Sequence, residues 1–188
     1  MTSLFYLINS ALNIYLYILI LRLWMHYKQV NYYNPITQFV VKVTQPLVSP
    51  LRKILPVIRR IDTATCLLIY LVALIKFIYM ISNLPIDLPT FNYSYLLYTF
   101  YLIIYTLGHL IFWLLLARAI LSWISRGYSA LEEVLAQLTE PLIYPIRRII
   151  PPIGGLDLSF MVFVFILILL NGFAAQVLNP WWFFFSQI

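Results

Sequence analysis

Four stretches of this chain hold almost no charge over a span-length run: residues 3–25, uncharged until Arg22; residues 63–84, with Lys76 alone; residues 93–123, uncharged from Tyr93 to Ala117; and residues 158–178. Crossing a bilayer as a helix takes about 20 mostly apolar residues, because every backbone amide must be satisfied within the segment. The pattern therefore predicts four transmembrane helices. Between the first and second, and again between the third and fourth, the pattern turns amphipathic. After the turn-like residues 31–35 and 125–129, residues 36–43 and 130–138 are apolar at helical spacing and predict helices of about two turns. Pro46 and Pro50, and likewise Pro141 and Pro145, suit the first turn of a new short helix, but their four-residue spacing is expected to keep each pair out of one helix interior. Pro56 and Pro151 are expected to end that second helix after its basic pair, Arg52 and Lys53 or Arg147 and Arg148. The predicted element is broken and hugs the interface, with Leu51, Ile54 and Leu55 (or Ile146, Ile149 and Ile150) on its apolar side and cations at its C-terminal end. Asp62 and Asp157 stand just before the second and fourth spans as expected N-caps.

These two elements are copies of one another. TQPLVSPLRKILPVIRRID, residues 44–62, returns 95 residues later as TEPLIYPIRRIIPPIGGLD, residues 139–157, with nine identities over 19 positions and no gap. The matches include Thr44/Thr139, Pro46/Pro141, Pro50/Pro145, Arg52/Arg147, Pro56/Pro151 and Asp62/Asp157. Self-similarity at a fixed spacing marks a duplicated unit. The expected architecture is an all-α membrane protein of two tandem repeats, residues 1–92 and 93–188, each a helix, a broken Pro-Arg element and a helix.

Composition agrees with the membrane class: 63% apolar, 18% aromatic and only 10% charged residues, against about 25% charged in a soluble domain. The N-terminus has no basic n-region and no small-residue cleavage site after the first run, so that run reads as a retained span. Of the twelve Lys and Arg, seven lie between Arg22 and Arg60 and four between Arg118 and Arg148. The positive-inside rule then puts both long loops in the cytoplasm and both termini outside, in a bacterial inner membrane. Each repeat contains two spans, so the copies insert in the same direction, as parallel repeats. Trp24 and Trp123 at the inner ends of their spans, and Trp181 and Trp182 past the fourth, fit interfacial belts. The net charge of +6 sits beside spans, where anionic headgroups attract each Lys or Arg by about 1 kcal/mol. The expected partner of this charge is the anionic inner leaflet, not nucleic acid. Cys66, the single cysteine, excludes an internal disulfide and reads as a packing residue.

The run LTEPLIYPIRRIIPPIGGLDLSF, with Thr139, Glu140, Pro141, Pro145, Arg147, Arg148, Pro151, Gly154, Gly155 and Asp157, is preceded by RAILSW from Arg118 to Trp123. Together they resemble the repeat of the YggT family of small bacterial membrane proteins, called YlmG in some lineages. The resemblance covers nearly the whole chain. The first copy departs from it, with Gln45 in place of Glu, Arg59 and Arg60 in place of Gly154 and Gly155, and LRLWM around Arg22 in place of RAILSW. The resemblance implies roles in osmotic or ionic stress tolerance, in envelope or division-related organisation and, in plastid relatives, in assembly of a cytochrome complex.

Catalytic motifs are lacking: there is no Gly-rich phosphate loop, His/Glu metal box, GxSxG elbow or Cys/His pair. Glu132 and Glu133 read as a solvated helix face near an N-terminus. His26 and His109 differ in depth by about 13 residues, or ~20 Å at 1.5 Å per residue, too far to share one haem; no cofactor is expected. Lys76 lies near mid-span, where a charge costs at least ~2.5 kcal/mol unless paired or facing water. Asn13, Asn171 and His109 are its available partners, and no carboxylate lies at that depth. The reading is a non-enzymatic scaffold or assembly factor acting through cytoplasmic basic-proline elements around Arg52 and Arg147 on another membrane protein or a second copy. The alternative is a small oligomeric transporter or channel with Lys76 lining its path.

Overall fold

The computed structural model describes residues 3–83, 94–124, 129–150 and 158–177. Its elements are α1 (Ser3–Lys28), α2 (Pro35–Arg52), β1 (Val57–Ile58), β2 (Ile61–Asp62), α3 (Thr63–Ser82), α4 (Ser94–Ile124), α5 (Ala130–Ile149) and α6 (Leu158–Val177). Stretches of α1, α3, α4 and α6 are long and apolar enough to cross a membrane, namely Ser3–Lys28, Thr63–Ser82, Tyr95–Leu121 and Ser159–Val177. The protein is thus an all-α membrane protein with four spanning helices. It forms two compact units, residues 1–107 and 108–188.

In the first unit α1 packs on α3 through Leu16, Leu19, Ala73, Phe77 and Met80, all buried. Phe77 also meets the rings of Tyr95 and Tyr98 on α4, at centroid distances of 5.7 and 6.0 Å. In the second unit α5 buries Val134, Leu135, Leu138 and Ile143 and packs on α6, whose outer surface shows Met161, Phe165, Leu169 and Phe173. Such a surface suits lipid tails, which are as apolar as leucine.

The short helices correct the broken element expected from the prolines. Pro46 and Pro50 lie inside one continuous α2, and Pro141 and Pro145 inside one continuous α5. Each interior proline removes an amide donor from the helix's own hydrogen-bond ladder, at about 3 kcal/mol. The four-residue spacing is what makes the pair tolerable. It stacks both prolines on one face, and that face is the exposed one. The opposite face supplies the compensating burial: Val40, Thr44 and Val48 on α2, and Leu135, Leu138, Thr139 and Ile143 on α5. Good caps start both helices. The Asn34 side chain accepts from the Ile36 amide at 3.0 Å with Pro35 at the first position. Ser129 and Glu132 form a reciprocal capping box at 3.1 Å each way, which is the role of Glu132.

Candidate functional site

An arginine near the end of the preceding span clasps the middle of each proline helix. Arg22 of α1 donates from Nη1 to Thr44 Oγ1 at 2.5 Å and to the Val41 carbonyl at 3.3 Å, and from Nη2 to Gln45 Oε1 at 2.9 Å. Arg118 of α4 donates from Nη1 to Thr139 Oγ1 at 2.7 Å and from Nη2 to Glu140 Oε2 at 2.5 Å. Each threonine hydroxyl passes its own proton one turn back, Thr44 to the Val40 carbonyl and Thr139 to the Leu135 carbonyl, both at 2.6 Å. Both threonines are fully buried, so their hydroxyls need these partners. The planar guanidinium spreads its donors over a rigid fork that spans two adjacent side chains, a geometry that a lysine's single ammonium nitrogen does not match.

The clasps differ in charge. Glu140 also accepts from Arg147 Nη1 at 2.8 Å through its other oxygen, so one carboxylate joins the preceding span to the last turn of α5. Gln45 is neutral, and Arg22 makes no close ion pair among the described residues. Arg52, the counterpart of Arg147, turns instead to Asp62. Its Nε and Nη2 donate to Asp62 Oδ2 at 3.1 and 2.5 Å, and Thr65 Oγ1 donates to the same oxygen at 2.6 Å. Asp62 occupies the N-cap position of α3, yet its side chain makes no cap hydrogen bond, which corrects the expected helix-capping carboxylate. Arg52 and Thr65 hold Oδ2, while Oδ1 is buried without a hydrogen-bond partner. Burial works against charge on Asp62, but the hydrogen bonds from Arg52 and Thr65 and the guanidinium's charge outweigh it and hold the carboxyl below the usual carboxylate range.

Between α2 and α3 the chain forms a two-residue hairpin, Val57 opposite Asp62 and Ile58 opposite Ile61. Arg59 at its tip has φ of 55°, a left-handed conformation that suits glycine. Pro56 follows the end of α2 and accepts a 2.6 Å bond from Thr63 Oγ1 through its carbonyl. Val57, Ile58 and Ile61 are exposed beside Arg59 and Arg60. A cleft of about 980 Å³ opens between the end of α1, α2 and this hairpin.

Lys76 is 2% exposed and donates to Asn13 Oδ1 at 2.8 Å, between α3 and α1. Of the three polar side chains open to it in the sequence, Asn13 is thus the one it bonds, in the packed interior of the first unit. Pro46, Pro50, Pro141 and Pro145 sit on the exposed faces of their helices, Arg148 is exposed in the last turn of α5, and Trp123 lies in α4. Pro151, Gly154, Gly155 and Asp157 lie outside the described residues, as does the expected pairing of Asp157 with an arginine. Sequence reasoning singled out Arg118 but not Arg22 or Gln45 as site residues. The signal was present: Arg22 precedes Thr44 by 22 residues and Arg118 precedes Thr139 by 21. Among the described residues no group of three or more His, Cys, Asp or Glu is placed to hold a metal ion.

Four spans and two proline helices clasped from the preceding span define a class of small polytopic membrane protein. The CCB3/YggT family profile matches this chain twice, over residues 1–82 and 97–178, and the chain belongs to that family. It is 43% identical over 183 residues to a Vibrio alginolyticus protein described as "Uncharacterized protein in proC 3'region", covering 97% of this chain and 99% of that one. It is 42% identical over 179 residues to Escherichia coli K12 "Uncharacterized protein YggT", covering 95% and 93%. With a Haemophilus influenzae protein the identity is 39% over 184 residues, covering 96% and 95%. No solved structure matches the chain.

Proposed function

We propose that this protein is a non-enzymatic membrane scaffold or assembly factor, with α2 and α5 as its docking elements. The observation that carries the reading is the clasp itself. In both copies an arginine of the preceding span fixes the buried face of a proline helix and leaves the other face outward. That outer face mixes apolar and basic side chains: Phe39, Leu47 and Lys42 on α2, and Tyr144, Ile149 and Arg148 on α5. Such a surface suits the headgroup layer and an acidic surface of a neighbouring membrane protein, or a second copy. On the positive-inside rule the two elements face the cytoplasm of a bacterial inner membrane, with both termini in the periplasm. The two repeats then insert in parallel.

Arg147 and Arg148 divide the labour, Arg147 holding the element through Glu140 and Arg148 meeting the partner. Arg148→Ala is expected to abolish partner co-purification while membrane insertion and thermal stability stay unchanged. Arg147→Ala is expected to lower both capture and stability. Unchanged capture by both variants sinks the reading. The alternative, an oligomeric transporter or channel with Lys76 lining its path, draws less support, since that lysine is buried against Asn13 within the first unit.

A further inference from the structure

Where Glu140 ion-pairs with both Arg118 and Arg147 in the second copy, the first copy carries the neutral Gln45. The consequence lies in the cleft beside it. Arg22, Lys42, Arg52, Arg59 and Arg60 all line that cleft of about 980 Å³ together with Gln45, and no Asp or Glu lines it. Among the described residues Asp62 ion-pairs with Arg52 alone of these, so five cations less one leave four positive charges around a single hollow. Arg22 is only 4% exposed, at the inner wall, whereas Lys42, Arg59 and Arg60 are exposed at the mouth. A concave surface of one sign with low-dielectric walls concentrates counter-ions. Guanidinium forks in it match the tetrahedral oxygens of phosphate.

We propose that this cleft binds a phosphate-bearing anion, with Arg22 at the inner wall and Gln45, Lys42, Arg59 and Arg60 at the mouth. Gln45 already accepts from Arg22, and a carboxylate in its place repels such a ligand and cancels one of the cleft's positive charges, so the Glu-to-Gln difference separates a clasp that binds an anion from one that carries its own. The cleft lies between the end of α1 and the hairpin that leads into α3, two span-length helices, and the ends of membrane-spanning helices stand among lipid headgroups. The phosphate therefore comes either from an anionic phospholipid or from a soluble phosphate compound. The site stands on cavity and charge, and only its lipid arm rests on the membrane orientation proposed above.

The test is thermal unfolding of the purified full chain in neutral detergent, where a ligand of the folded state raises the midpoint by mass action. The probes are phosphatidylglycerol against phosphatidylcholine in mixed micelles, and pyrophosphate against chloride at matched ionic strength. A rise with phosphatidylglycerol alone identifies a lipid site, and a rise with pyrophosphate in lipid-free detergent identifies a soluble ligand. In either case Gln45→Glu, the residue the second copy already carries, is expected to weaken the apparent affinity at least tenfold. The surface double variant Lys42→Ala/Arg60→Ala is expected to do the same, and it decides alone if the first variant misfolds. No response to either probe, or equal responses in wild type and variants, overturns the proposal.

Discussion

The Asp62–Arg52 pair joins the end of the first proline helix to the start of α3, and its removal tests whether that junction is held electrostatically. Asp62→Ala strips the acceptor from three donors, Arg52 Nε and Nη2 and Thr65 Oγ1, at 3.1, 2.5 and 2.6 Å. Breaking a fully buried pair from one side costs about 3–5 kcal/mol. The Arg52 side chain is 34% exposed, so water recovers part of that loss and we expect about 2–3 kcal/mol. Arg52→Ala should cost less, about 1–2 kcal/mol, and the double variant should fall short of the sum by about 1–2 kcal/mol. Cys66, one turn into α3 and the single cysteine, serves as the probe: its rate of labelling by a fluorogenic maleimide during denaturant titration reports opening of the junction. The pH dependence has a defined sign. Because the folded carboxyl titrates below its unfolded value, the pair contributes in full above about pH 3.9, the ordinary Asp value, and is lost as pH falls through the depressed folded one. The gap between wild type and Asp62→Ala should therefore be flat near neutrality and close in acid. Additive single variants, or a gap that widens as pH falls, refute the reasoning.

Two further outcomes follow from the same geometry. Arg59→Gly relieves a left-handed residue at the hairpin tip and should stabilise the first unit by about 1 kcal/mol, read as a higher denaturant midpoint; no gain refutes the strain. Asn13→Leu leaves Lys76 buried without its acceptor and should cost about 2 kcal/mol, whereas Lys76→Met in the same pocket should be close to neutral; equal losses in the two variants count against the pairing.

The four spans were legible because about 20 mostly apolar positions in a row, interrupted by a charge only at Lys76 in the second, admit few other structures. The continuity of the proline helices was not legible from proline spacing alone, because tolerance depends on the face on which the prolines fall. At four residues apart, Pro46 and Pro50 share the exposed stripe while Val40, Thr44 and Val48 hold the buried one. The hairpin was hidden in the first copy by Arg59 and Arg60, which carry no turn signature; the second copy has Gly154 and Gly155 at the same positions. Arg22 was obscured by a one-residue slip between the copies. The pairing of Lys76 with Asn13 was only partly legible, since the sequence offered three polar partners without saying which helix faces meet.

The central claim is that the outward face of a clasped proline helix docks a protein partner. A photo-crosslinking residue at Tyr144, 61% exposed on α5, tests it in living cells, with adducts identified by mass spectrometry. The account predicts a discrete protein adduct that disappears in the Arg148→Ala background, whereas adducts to lipid alone contradict it.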